Sequence, residues 1–327
     1  MGAGPSLREV APETLLRIQE APAAKVAVNY AGRGPDGQGW LLKPTHWTAY
    51  DTTARFSRCV FNDPSITKLI RGSRATDLTP ESTDKVYDCP ATYFFDAEFR
   101  KYSNFVYATA EKVNDSLDSF VQAIDLAYLM GFRELYLLGA DMRVAPSPEQ
   151  INLAEQYGVS YPTVYEGRTS DRLKHFLDAY VKARGIPDKQ AAKELEGVNR
   201  ERQYAFSETK PFGVAVACDT HYWERVEYLR LARRTMSLAG LRIVSCTPGS
   251  RLNTWFEYMR PEAVCDYLAD RHGDPRLEGT EGKYTEKQVH LLPWHADIAP
   301  YSRSDPPKMK RAVGPEVEAM LGVEVQG

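Results

Sequence analysis

GFRELYLLGAD, Gly131 to Asp141, is the stretch of this 327-residue chain that decides its fold. Glu134 to Leu138 is a short, nearly continuous apolar run, the kind of strand that is buried on both faces in a parallel sheet. Gly139 and Ala140 end it, so Asp141 falls at the carboxyl edge of that sheet, where open α/β folds bind ligands. Just upstream, Phe120, Ile124 and Ala127 recur at helical spacing with Val121 and Tyr128 beside them. Asp115 and Ser116 offer N-caps, and Gly131 can close the helix in a left-handed conformation. The unit therefore reads helix, tight turn, buried strand.

Outward from it the same alternation continues. Lys25 to Tyr30 (KVAVNY) reads as a strand that delivers Asn29 to a turn-rich loop. Short apolar pieces around Trp47, Cys59 to Phe61 and Tyr93 to Phe95 read as strands or loops. Downstream, Gly213 to Cys218 is a strand candidate, Trp223 to Leu238 an amphipathic helix, and Leu241 to Cys246 a strand that ends in the loop Thr247-Pro248-Gly249-Ser250. Helices alternating with apolar strands predict an α/β, Rossmann-like, mostly parallel sheet with helices on both faces. Between Ala145 and about Lys210 the chain turns polar and helix-forming, which predicts a helical lid. Its tyrosines Tyr157, Tyr161 and Tyr165 are expected to pack. The organisation expected is a first α/β half over 1–144, a lid over 145–210, the rest of the α/β core over 211–271, and a surface-wrapping tail over 272–327.

Composition narrows the class. With 43% hydrophobic and 26% charged residues the chain has ordinary globular make-up. No apolar run approaches the ~20 residues of a membrane-spanning helix, and no basic stretch precedes an apolar leader, so a cytoplasmic protein is expected. The net charge of −3 supplies no overall field for nucleic acid, although Arg55, Arg58, Lys68, Arg71 and Arg74 form a locally basic stretch. Cys59, Cys89, Cys218, Cys246 and Cys265 lack any CxxC pair and read as buried free thiols. His46, His175, His272, His290 and His295 show no metal-ligand spacing.

Two places could carry chemistry. In Gly2-Ala3-Gly4-Pro5-Ser6-Leu7, two glycines let the backbone approach a ligand closely, and Ser6 adds a hydroxyl beside exposed N–H groups, which suits a phosphate or nucleotide. In Asp219-Thr220-His221 a histidine stands where a helix is expected to begin; imidazole titrates near neutrality and can take a proton from a hydroxyl.

GAGPSL, the strand ending in Asn29, the Ser116/Ser119 helix leading into GFRELYLLGAD, and His221 followed by CTPGSRL (Cys246 to Leu252) occur in that order. Together they resemble the bacterial CMP-sialic-acid-dependent sialyltransferases that carry a GNGPS-type loop, and a related group of uncharacterised or phage-borne proteins. The resemblance covers roughly residues 1–30, 115–143 and 213–256. It implies a GT-A-like form of the fold and a metal-independent glycosyltransferase that moves a sugar from a nucleotide-sugar donor, CMP-type favoured, to an acceptor hydroxyl. Gly4, Pro5 and Ser6 would line the nucleotide phosphate and ribose, and Asn29 would hydrogen-bond the donor near its phosphate. Ser119 would face the nucleotide, Asp141 would lie by the donor, Ser250 would bind base or ribose, and His221 would be the general base. No cofactor and no metal are expected, in keeping with the absence of a DxD motif. The acceptor is a glycan or another hydroxyl, with modified DNA bases as an alternative that the Arg55 to Arg74 stretch would serve. The chain departs from those enzymes in having Arg143 and then Ala145-Pro146 where they place tyrosines, which points to a different donor. It also lacks their strand ahead of the glycine loop, so either a truncated start or a sheet without its central strand is expected. A pterin-diphosphokinase-like reaction using ATP and magnesium, and a non-catalytic nucleotide-binding protein, are the alternative readings.

Overall fold

The computed structural model describes residues 1–34, 39–51, 58–80, 82–106, 110–114, 116, 118–161, 172–198 and 211–271. The protein is α/β, and its named strands pair only in parallel. Strands β1 (Val26–Val28), β2 (His46–Thr48), β3 (Thr67–Arg71) and β4 (Thr92–Phe95) form one sheet in that order. A short pair, β5 (Ala97–Glu98) and β6 (Val113–Asn114), follows. The third sheet joins β7 (Glu134–Leu137), β8 (Arg242–Ser245) and β9 (Glu257–Tyr258). The helices are α1 (Pro12–Glu20), α2 (Arg58–Asn62), α3 (Ser119–Leu129), α4 (Pro148–Glu155), α5 (Arg172–Arg184), α6 (Asp188–Gly197), α7 (Phe212–Leu238) and α8 (Pro261–Arg271).

The two-residue period of a strand sorts its side chains between the two faces. Leu135 and Leu137 of β7 and Ile243 of β8 enter a core with α3 and α7. Tyr136, Leu138 and Val244, one residue out of phase, enter a second core with Leu15 of α1 and Val264 of α8. Helices thus cover both faces of the β7–β8 sheet, and that is why its strands read as continuous apolar runs. A third core around Trp47, Phe61 and Ile70 supports the β1–β4 sheet. A fourth joins α4, α5 and α6 to the first turns of α7. There Tyr157 packs edge-on against Tyr180, and Tyr161 against Phe176, so both are packing residues as expected.

The first residues of the chain lie between two sheets. The Met1 amine donates to Val26 O at 2.5 Å, and Val28 N donates to Met1 O at 3.3 Å. On the other side Gly2 N donates to Leu138 O at 2.8 Å and Gly4 N to Gly139 O at 2.9 Å. Met1 bracketed by the two neighbours of Ala27 is the hydrogen-bond pattern of a parallel pair. Met1 to Gly4 therefore link the open edge of β1 to the open edge of β7. The Lys25 to Tyr30 strand pairs with β2 and, among the described residues, with neither β7 nor β8.

Other expectations need correction. Gly213 to Cys218 is not a strand but the opening of the 27-residue α7, because Phe212 and Ala215 are buried against the helical cluster at helical spacing. Cys59 to Phe61 is helical. The cap of α3 is Asp118, whose carboxylate accepts from Phe120 N and Val121 N at 2.9 Å each; Asp115 lies outside the described residues. Only Cys246 and Cys265 are buried, Cys89 and Cys218 are half-buried, and Cys59 is exposed; none of the five forms a disulfide among the described residues. Lys68 is fully buried and donates to Asp63 O, so it is no part of a basic surface. Arg55, Tyr165, His272, His290, His295 and the whole 272–327 tail lie outside the described residues. No helix among the described residues is long and apolar enough to cross a membrane.

Candidate functional site

The loop that leaves β1 brings Asn29 to the amino end of α3, the loops that leave β7 and β8 carry Asp141 and Ser250, and His221 lies on α7. Two hydrogen-bonded groups result. The first forms where the amino-terminal loop meets the exits of β7 and β8. Ser6 Oγ donates to Asp141 Oδ2 at 2.6 Å, and Ser250 Oγ donates to Ala140 O at 2.6 Å. Thr247 Oγ1 accepts from Ala140 N at 2.9 Å, so the β7 exit is tied on both flanks. Burial pushes the Asp141 carboxyl above its usual range, while the Ser6 hydroxyl and the Arg143 charge pull the other way.

The glycines of this loop also serve its packing against the β7 exit. A Cβ on Gly2 would collide with the Gly139 carbonyl, and one on Gly4 would collide with the Asp141 carboxylate and the Gly139 carbonyl. Their bareness admits the β7 exit. Pro5 opens a short 3₁₀ turn, Pro5–Glu9, with Ser6 buried in it.

The second group forms at the start of α3. Ser119 Oγ donates to Asn29 Oδ1 at 3.0 Å and accepts from Tyr50 N at 2.8 Å. Asn29 takes a left-handed conformation, φ 54°, which asparagine tolerates better than most side chains. Its amide nitrogen has no protein partner among the described residues and keeps two donors for something else. Beside Ser119, the Oδ2 of Asp118 lies 2.9 Å from Nε2 of His221. The imidazole is 40% exposed and the carboxylate 12%. A histidine held at one nitrogen by a half-buried acid and open to solvent is an arrangement that suits a general base.

Asp141 and His221 share no hydrogen bond, but buried contacts connect them. Arg251 N donates to Asp141 O at 3.3 Å, and its guanidinium meets both carboxylate oxygens of Asp219 at 3.0 and 3.2 Å. Asp219, two residues before His221 on α7, also accepts from Val144 N at 2.8 Å. The buried Arg251–Asp219 pair therefore locks α7 to the loop that leaves β7. Met142 and Ser116, at φ 52° and 40°, flank the two groups. Non-glycine residues held in this region carry a strain of order 1–3 kcal/mol that surrounding contacts must sustain.

The sequence gives no contact for three features of this region. Asp118 was hidden by Asp115 and Ser116, which look equally good as caps. Arg251 and Asp219 are 32 residues apart with no local pattern to join them. The third is Arg143, whose exposed guanidinium lies near Gly249 and has no protein partner among the described residues. It puts a free cation beside Asp141. Among the described residues no group of three or more His, Cys, Asp or Glu side chains is placed to hold a metal ion. No protein-family model, curated protein or solved structure matches the chain.

Proposed function

We propose that this protein is a glycosyltransferase that moves a sugar from a nucleotide-sugar donor, CMP-type favoured, to an acceptor hydroxyl without a metal. The observation that carries the reading is the His221–Asp118 contact of 2.9 Å at the carboxyl side of parallel strands. In this scheme Asp118 holds the imidazole tautomer, and the other ring nitrogen of His221 takes the acceptor proton as the new bond to the anomeric carbon forms. Charge grows on the departing nucleotide phosphate and is met by the Asn29 amide and the Arg143 guanidinium. Ser6, Ser119 and Ser250 already donate within the protein, so they would shape the pocket through Asp141, Asn29 and Ala140 and offer the nucleotide acceptor lone pairs.

Calorimetric titration with CMP tests the donor half of this reading. Asn29→Ala is expected to weaken CMP binding by about 1–3 kcal/mol, the cost of leaving a phosphate oxygen unsatisfied. Unchanged affinity in that variant removes Asn29 from the donor site. A protein that binds ATP only with magnesium, and not CMP, would instead favour diphosphate transfer.

A further inference from the structure

Helix α7 meets the chain ahead of α3 at three successive places. His221, Arg225 and Tyr228, at positions i, i+4 and i+7 on one face of the helix, contact Asp118, Ser116 and Asn114 in turn. Asp118 Oδ2 lies 2.9 Å from His221 Nε2. Arg225 Nη1 donates to Ser116 O at 2.6 Å and reaches Ser116 Oγ at 3.4 Å. Asn114 Nδ2 donates to the Tyr228 hydroxyl at 3.0 Å. The two ends of this row differ. Asn114 is fully buried; its N–H donates to Asp125 Oδ2 at 2.7 Å, and its Oδ1 accepts from Arg100 N at 3.1 Å. His221 opens to solvent, so the row runs from a fixed interior end to the reactive one, with Arg225 between them.

We propose, on the reading of His221 as general base, that Arg225 is a positioning residue of the Asp118–His221 pair. By holding the Ser116 carbonyl it keeps the Asp118 carboxylate against His221 Nε2 and so selects the ring tautomer. A carboxylate can only accept, so Nε2 carries the proton and Nδ1 is left to take one. Among the described residues Arg225 makes no hydrogen bond or ion pair with Asn29, Asp141 or Arg143. It therefore acts through Ser116 and not on the donor.

The local geometry explains why a cation is used at this point. Ser116 is fully buried at φ 40°, a left-handed conformation that a serine holds only when its surroundings enforce it. A bond from a guanidinium to a peptide carbonyl is charge-assisted and stronger than one between neutral groups. The competing partner of Arg225 is Glu224, 3.5 Å away and 51% exposed, and an ion pair so open to water contributes little. Asp118 is under a second demand, because its Oδ1 accepts from Phe120 N and Val121 N. A carboxylate that caps α3 with one oxygen and meets His221 with the other tolerates little displacement. Ser116, two residues ahead of it, is where Arg225 ties the chain to α7.

The test uses the full chain with Arg225→Met, which keeps the reach of the side chain and removes its donors, and with Arg225→Lys, which keeps a donor for the Ser116 carbonyl. Imidazole nitrogen NMR spectra, taken on the alkaline side of histidine titration, read the tautomer; the His221 signals are assigned by their loss in His221→Ala. Wild-type protein and Arg225→Lys are expected to show Nε2 protonated and Nδ1 bare, and Arg225→Met a mixture of both tautomers. CMP release from CMP-sialic acid should fall by on the order of 10²-fold in Arg225→Met, the scale of a displaced catalytic group. Calorimetric affinity for CMP should stay at the wild-type value, and Arg225→Lys should recover most of the turnover. A folded Arg225→Met that keeps the wild-type tautomer overturns the proposal, whatever its turnover. If Arg225→Met does not fold, Arg225→Lys decides: a single tautomer with wild-type turnover supports the proposal, and a mixture overturns it. Wild-type turnover in His221→Ala, or no CMP release by the wild type, defeats the general-base reading instead, and the spectra still show whether Arg225 sets the ring.

Discussion

His221→Ala is expected to lower sugar transfer by about 10²- to 10⁴-fold, the usual scale for a lost general base, while leaving nucleotide affinity nearly unchanged. The separation follows from the geometry. His221 contacts Asp118, which caps α3 through its other oxygen, whereas the free Asn29 amide and the Arg143 guanidinium belong to other loops. Removing the imidazole therefore takes away the proton acceptor without unmaking the cap or the donor contacts. Single-turnover transfer together with calorimetry on free nucleotide resolves the two effects. Wild-type turnover in His221→Ala makes the histidine structural and sends the reaction to another base or another class.

Arg251→Ala is expected to cost about 3–5 kcal/mol of stability, measured by chemical denaturation, because it strands the Asp219 carboxylate in the interior. The two side chains are 6% and 1% exposed, so water cannot take the place of the lost partner. Burial already holds the Asp219 carboxyl above its usual range, against the opposing pull of Arg251; without Arg251 it rises further. A carboxyl whose folded-state value exceeds its unfolded value binds more protons when folded, so stability falls as pH rises through that interval. The deficit of Arg251→Ala should therefore shrink on acidification. Adding Asp219→Asn, which removes the stranded charge, should recover part of the loss at neutral pH. A loss below 1 kcal/mol would show that the pair does not lock α7 to the β7 exit.

The parts of this arrangement that could be read in the sequence are those set by local periodicity. GFRELYLLGAD gives β7 and its stop because a buried parallel strand is a short apolar run and Gly139, at φ 65°, must break it. The opening of α7 misleads for the opposite reason. GVAVAC has the β-branched texture of a strand, and the helical period appears only over a longer window in which buried Asp219 interrupts the apolar face. Asn29, Asp141 and Ser250 stand just beyond strand ends and Ser119 opens α3, whereas His221 lies inside α7 and not at its start, because the helix begins at Phe212. Their partners were not legible, because each bond spans a long separation in sequence: Ser6 to Asp141 crosses 135 residues, and His221 to Asp118 crosses 103. The packing of the glycine loop was hidden on the same account, since what a Cβ on Gly4 would meet is the Asp141 side chain.

The most direct test of the central claim is donor turnover. The protein is incubated with CMP-, UDP- and GDP-sugars in parallel, with and without EDTA, and release of free nucleotide is followed. The account predicts nucleotide release from one class of donor, CMP-sugars first, at a rate that EDTA leaves unchanged and His221→Ala suppresses when an acceptor hydroxyl is supplied. No release from any donor, or release that EDTA abolishes, would contradict it.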